Sequence, residues 1–228
     1  MESTRDRLRK VPLFRELEDE SLDRLAGLSS IVHVKKKEIL FHEGDPYRGM
    51  FIVLRGLAVV FKTSADGRML ILRVCREGSP LAELQLFEPG TAGYLASARC
   101  TRDSEILMLP QAAFTPFLKQ HPEVAWEMLH EFAGRLKQLN LQLEGVTLRE
   151  VSSRLAQYLL REVEAAGQEE EPSPSMTLPL AKGAIASYLG TVHETLSRTF
   201  ARLVREKVIK VDGPRITILD KDKLKRMV

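Results

Sequence analysis

A chain of 228 residues is long for one ordinary domain and comfortable for two. Its 44% hydrophobic and 29% charged residues are those of a globular protein with a real core, and no apolar run approaches the roughly 18–20 residues of a membrane span. Two cysteines, Cys75 and Cys100, exclude a disulfide framework and a cluster held by four thiolates. The N-terminus MESTRDRLRK lacks the apolar stretch of a secretory signal, so the expected location is the cytoplasm, with no membrane partner. The net charge is only +3, but Lys182 to Val228 hold eleven Lys/Arg against five Asp/Glu, a local +6. That imbalance points to a polyanion partner at the C-terminal end, or to a solvated surface.

The first elements in chain order are helical. LFRELEDESLDRLAGL places Leu17, Leu22, Leu25 and Leu28 at near-helical spacing. From Ile31 to about Pro110 the pattern changes to short β-rich runs: IVHV, EILF, MFIVL, LAVVF, MLILRV and EILML. Glycines at 44, 56, 67 and 78 recur in steps of 12, 11 and 11, the spacing of turns at the edge of an antiparallel roll. Ala65-Asp66-Gly67 reads as a hairpin turn.

At His121-Pro122 a long helix begins. Ala125, Leu129, Phe132, Leu136, Leu139, Leu143 and Val146 advance in alternating steps of four and three, the seam of a coiled coil and hence of a homodimer. The competing reading is an amphipathic helix packed on its own domain. LREVSSRLAQYLLREVEAAG predicts another helix ending at Gly167, and the acidic stretch QEEEPSPS a surface connection. The domains expected are a roll with its N-terminal helix over 1–120, a dimer helix over 121–148 and a C-terminal domain over 149–228.

AKGAIASYLGTVHETLSRTFARLV fits a helix-turn-helix, with Ile185, Leu189, Leu196 and Phe200 as shared core. Ala186 is small where the helices cross, Gly190 permits the turn, and Thr191 with Glu194 predicts a capping box. VIKV-DGPR-ITIL adds a hairpin with Asp212-Gly213 at its turn, which makes the unit a winged helix. In a major groove the second helix would present His193, Glu194, Ser197 and Arg198 to base edges, a carboxylate accepting from cytosine and a guanidinium donating twice to guanine. Lys182, Thr195, Arg202 and Arg205 are candidates for phosphate contacts. Glu194 and Arg198 also fit an ordinary surface pair four residues apart. There is no nucleophile–base constellation, P-loop, metal-spaced His pair or dinucleotide fingerprint, so no enzyme is expected.

This layout resembles the CRP/FNR family of bacterial transcription regulators over nearly the whole chain. LFHEGDPYRGMFIVLRGLAVVF resembles the family's first roll turns, LAELQLF its effector cassette and VHETLSR its recognition helix. The resemblance implies an α+β homodimer in which a cyclic-nucleotide-binding-like β-roll, a dimerisation helix and a C-terminal winged helix couple an effector to DNA affinity, with RNA polymerase as a further partner. Glu194, Ser197 and Arg198 match the E-x-x-S-R pattern of FNR-like branches, which favour palindromic double-stranded DNA with TTGA-type half-sites; TGTGA-like sites stay open.

The resemblance also frames the effector. The pocket residues implied are Ala82, Glu83, Leu84, Gly93, Tyr94 and Leu136. In cAMP-binding relatives the glutamate takes the ribose and an Arg-Ser pair takes the phosphate; here Glu83 is kept, Ala82 replaces a glycine, and Gly93-Tyr94 fall where Arg-Ser would be. A buried phosphate without a cation is costly, so the expectation is a pocket with no positive centre and an effector other than cAMP. With no cysteine before Cys75, an iron–sulfur cluster is not expected. The apolar cassette is more similar to the DNR- and HcpR-like branches, which sense nitric oxide or carbon monoxide through haem. That makes His33, His42, His121, His130 and Cys75 candidate axial ligands, against a plain reading of His33 and His42 as surface strand residues and Cys75 as core.

Overall fold

The computed structural model describes residues 2–64, 66–88, 93–148 and 150–228, without the side chains of residues 138 and 141–148. The chain divides into two compact units, Met1–Arg135 and Leu136–Val228.

In the first unit α1 (Thr4–Arg9), a 3-10 turn (Pro12–Phe14) and α2 (Asp19–Leu28) precede the sheets. Eight strands follow: β1 (Ser30–Val34), β2 (Ile39–Phe41), β3 (Gly49–Arg55), β4 (Ala58–Thr63), β5 (Met69–Cys75), β6 (Pro80–Leu81), β7 (Ser97–Cys100) and β8 (Ser104–Pro110). They form two four-stranded antiparallel sheets, β1-β8-β3-β6 and β2-β7-β4-β5. The recurring glycines are turns, as expected: Gly44, Gly56, Gly67 and Gly78 have φ of +85°, +109°, +81° and +81°. At Gly56 a side chain is excluded outright, since its Cβ would lie 2.2 Å from the Ser104 hydroxyl oxygen. Of the hairpin turn expected between β4 and β5, Ala65 lies outside the described residues; Thr63 pairs with Met69 across it.

MFIVL lacks the alternation of a half-exposed strand because β3 is buried on both faces. Phe51 and Val53 face the interior of the roll, with Val34, Phe41, Cys75 and Ile106. Met50 and Ile52 face the other way, into a second core with Leu8, Phe14, Leu22, Leu25, Leu107 and Leu109. That core is closed by Phe114 and Phe117 of α3 (Gln111–Gln120) and by Val124 and Met128 of α4 (Pro122–Leu148).

The second unit contains α5 (Val151–Ala165), β9 (Ser175–Thr177), α6 (Lys182–Tyr188), α7 (His193–Arg205), β10 (Ile209–Asp212), β11 (Arg215–Ile218) and α8 (Lys221–Arg226). Its strands form one antiparallel sheet, β10-β11-β9. Leu155, Ala156, Leu159 and Val163 give α5 its buried stripe. Three details differ from the sequence reading. Leu17 precedes α2 instead of belonging to it, α3 and α8 are additional helices, and the hairpin turn is Gly213-Pro214 because Asp212 already pairs with Arg215.

Candidate DNA-recognition helix and effector cassette

The helix pair is built around Ile185, Ala186, Leu189, Leu196 and Phe200, all buried. α6 ends in a Schellman turn: Gly190 has φ +63°, the Thr191 N–H donates to the Ala186 carbonyl (2.9 Å) and the Gly190 N–H to that of Ser187 (3.3 Å). That turn uses Thr191, so the expected capping box does not form. α7 starts one residue later, capped by Val192 with no side-chain bond, and Glu194 pairs instead with Arg198 one turn on. Both partners of that pair are about three-quarters exposed (75% and 73%). In water such a pair is weak and opens readily to another partner.

α7 buries Leu196, Thr199, Phe200 and Leu203 and turns His193, Glu194 and Arg198 to solvent, with Ser197 half-buried between them. The four base-reading candidates therefore share one exposed face at the start of the helix. Of the phosphate candidates, Arg205 is exposed and Arg202 half-buried. Lys182 lies with its Nζ 5.2 Å from the centre of the Phe200 ring, which ties the start of α6 to α7. Thr195 is half-buried, and its carbonyl accepts from the Thr199 hydroxyl (2.8 Å).

The cassette runs from β6 into a 3-10 turn, Leu84–Leu86. Ala82 takes a left-handed conformation (φ +58°), and its carbonyl accepts from the Tyr47 hydroxyl (2.9 Å). Gln85 fits with its amide nitrogen donating to the same carbonyl (3.0 Å) and its oxygen accepting from the Leu95 N–H (3.1 Å). Glu83 and Gln85 point inward while Leu84 and Phe87 stay exposed.

Glu83 is 2% exposed and is not unpaired. The expectation of a pocket with no positive charge is corrected here: Arg73 from β5 and Arg135 from α4 both reach its carboxylate. Arg73 Nη1 donates to Glu83 (3.2 Å) and to the Pro80 carbonyl (2.7 Å), and its Nη2 to Glu131 (3.0 Å). Arg135 contacts both Glu83 and Glu131. Two guanidiniums and two carboxylates thus alternate in a closed ring. Burial pushes the Glu131 carboxyl up, against the opposing pull of Arg73. Burial, then the charge of Arg73, brings Arg135 down to about 9, which leaves it a cation at neutral pH. The signal available in the sequence was an arginine at an inward position of MLILRV; nothing local linked it to Glu83 or to Arg135, 62 positions further on.

Gly93 pairs with Pro46 in an isolated bridge, and a Cβ there would lie 2.9 Å from the carbonyl oxygens of both Gly44 and Asp45. The position that resembles the family's phosphate-binding arginine therefore has no room for a side chain. Tyr94 belongs to the roll core and not to an open pocket: it stacks on Phe41 (4.0 Å between centroids) and its hydroxyl donates to the Gly49 carbonyl (3.2 Å). Arg99 lies over the Phe61 ring.

The haem-ligand candidates sit on separate elements. His33 is exposed on β1, with Nε2 3.8 Å from Glu105; His42 is exposed after β2; His130 is exposed on α4. His121 follows α3, its ring tilted against that of Phe117 at 4.2 Å between centroids, with Nδ1 2.8 Å from Glu123. Cys75 is fully buried in the roll core, and burial pushes its thiol up, away from the thiolate that iron would need. Among the described residues no three His, Cys, Asp or Glu side chains are gathered as metal ligands.

Along α4 the expected seam is split. Leu129, Leu136 and Leu139 are exposed (57%, 61% and 56%), as is Trp126 (70%), while Ala125 is half-buried. Phe132 turns partly inward, meeting Phe87 edge-on at 5.8 Å. Leu143 and Val146 lie outside the described side chains.

A double-sheet roll with a buried cassette, followed by a winged helix with an exposed basic helix, defines a DNA-binding transcription regulator with a sensor-type domain. Residues 31–121 match the cyclic nucleotide-binding domain family and residues 153–227 the Crp-like helix-turn-helix domain family. The "Probable transcriptional regulator flp" of Lacticaseibacillus casei is 30% identical over 215 residues, 92% of each chain. The CRP-like cAMP-activated global transcriptional regulator of Mycobacterium tuberculosis is 24% identical over 219 residues, 96% of this chain and 97% of that one. The fold is similar to that of a CooA mutant from Carboxydothermus hydrogenoformans, with a TM-score of 0.75 at 20% identity over 88% of each chain. The chain belongs to the CRP/FNR family of transcription regulators. Among the described residues no helix is long and apolar enough to cross a membrane.

Proposed function

We propose that this protein is a cytoplasmic, homodimeric, sequence-specific regulator in which a roll (1–120) and a dimer helix (121–148) set the DNA affinity of a winged helix (149–228). The dimer forms along the exposed apolar stripe of α4, Leu129, Leu136 and Leu139, with Ala125 and Phe132 at its margin. Each α7 enters a major groove, so that His193, Glu194, Ser197 and Arg198 read a TTGA-type half-site while Lys182, Thr195, Arg202 and Arg205 lie along the phosphates. RNA polymerase is the partner through which bound DNA becomes altered transcription. Control acts at the cassette around Glu83, through a small molecule other than cAMP where one acts at all. Gly93 offers no cation, both nearby arginines are already paired, and the haem candidates are scattered.

The observation that carries the reading is the exposed, unburdened first face of α7 in a segment of local charge +6. Fluorescence anisotropy on a duplex with TTGA…TCAA half-sites, against scrambled DNA, tests it. Arg198→Ala should weaken specific binding by about 1–3 kcal/mol, roughly 5- to 150-fold, and relax discrimination at one base position per half-site. Unchanged affinity and base preference in that variant would remove the assignment of α7 as the reader.

A further inference from the structure

The ring of Arg73, Glu83, Glu131 and Arg135 draws one residue from β5, one from the cassette and two from α4. Arg135 is the last residue of the first unit, and α4 continues from it to Leu148. Glu83, the buried carboxylate of the ring, receives both guanidiniums, as does the half-buried Glu131, and the four charges sum to zero. An incoming phosphate or carboxylate would add negative charge to a site already balanced and strand Glu83 without a partner in low dielectric. Gly93, the position that resembles a family cation site, is closed by the Gly44 and Asp45 carbonyls.

We infer that the roll is self-liganded: the Glu83 carboxylate stands in for an anionic effector, joining β5 and the cassette to α4 with no small molecule present. This rests on the reading that the roll and α4 govern DNA affinity. The chain's own side chain holds the junction closed, so DNA binding needs no added cyclic nucleotide. Removing the carboxylate leaves two half-buried guanidiniums sharing Glu131 alone, and a small free carboxylate can bridge them in place of Glu83.

Glu83→Ala with acetate as the probe tests this, in sodium acetate against sodium chloride at equal ionic strength. For the unsubstituted protein, Tm and affinity for the TTGA palindrome should not respond to acetate or to cAMP. Glu83→Ala should melt lower and bind the palindrome at least tenfold more weakly, and both losses should recover saturably as acetate is added. Tighter DNA binding by the unsubstituted protein on adding cAMP overturns the inference. So does a Glu83→Ala protein with undiminished DNA affinity, or one whose losses acetate does not restore. If Glu83→Ala does not fold, Glu83→Gln keeps the shape without the charge. It should lose DNA affinity to a similar degree, and an affinity equal to that of the unsubstituted protein overturns the inference. If the unsubstituted protein binds no duplex at all, the DNA-binding proposal fails, and recovery of Tm by acetate alone decides whether Glu83 acts as an internal ligand.

Discussion

Ala82 holds a φ of +58° immediately before the buried Glu83. Left-handed backbone costs a residue with a Cβ about 1–2 kcal/mol relative to glycine. Glycine gives back part of that through the greater freedom of the unfolded chain, about 0.4–1 kcal/mol. Ala82→Gly should therefore stabilise the protein by about 0.5–1 kcal/mol, a rise in Tm of about 1–4 °C for a chain of this size. Calorimetry checks the sign; a lower Tm would mean that the methyl group packs well enough to outweigh the strain. At this scale the sequence reading reached Glu83 and the loss of the Arg-Ser pair, because both lie within one contiguous motif. It missed Arg73 and Arg135, which meet Glu83 only once strand and helix are in place. Tyr94 was legible as a position but not as a role, since its place in the stack with Phe41 depends on a strand more than 50 residues earlier.

Helix α4 carries two apolar patterns at once. Val124 and Met128, four apart, close the core of their own unit, while Leu129, Leu136 and Leu139 follow the 3.5-residue repeat on the exposed side. The packed amphipathic reading describes the Val124–Met128 face, the proposed dimer seam would use the exposed one, and Phe132 lies between them. Exposed leucines at this spacing are poorly placed in a monomer, so Leu129→Glu with Leu136→Glu should yield a folded monomer by sedimentation equilibrium where the unsubstituted chain is a dimer. Its far-ultraviolet dichroism should be nearly unchanged, because neither leucine belongs to a buried core. A monomeric unsubstituted protein would remove the seam. Elements with long runs or repeated turn glycines were legible throughout, including β3, β5, α5 and the α6–α7 pair. β6, β7 and β9 span only two to four residues, too few for alternation to register, and α3 follows β8 without a polar break. The capping box failed for a local reason: the Schellman turn after α6 takes the residue that would have capped α7.

For the whole molecule, charge and symmetry make a joint prediction. The sequence's net charge is small, yet its C-terminal segment carries +6, so DNA affinity is expected to fall steeply with salt while the first unit contributes little to that slope. Each phosphate contact contributes about 0.9 to the magnitude of the slope of log K against log salt concentration. Arg205 is exposed at the end of α7, about two turns beyond Arg198. If it contacts one phosphate per subunit and two subunits sit on the palindrome, Arg205→Ala removes two contacts at once. The slope should then shrink by about 1.8, with affinity falling alike on specific and scrambled duplexes. Arg198→Ala should instead lower affinity selectively on the palindrome. A shrinkage near 0.9 for Arg205→Ala would place one subunit on the DNA, and no change would place Arg205 off the phosphates. Salt titrations of the unsubstituted protein and these two variants on one palindrome separate the three cases, since the slope counts subunits and the sequence dependence identifies the reader.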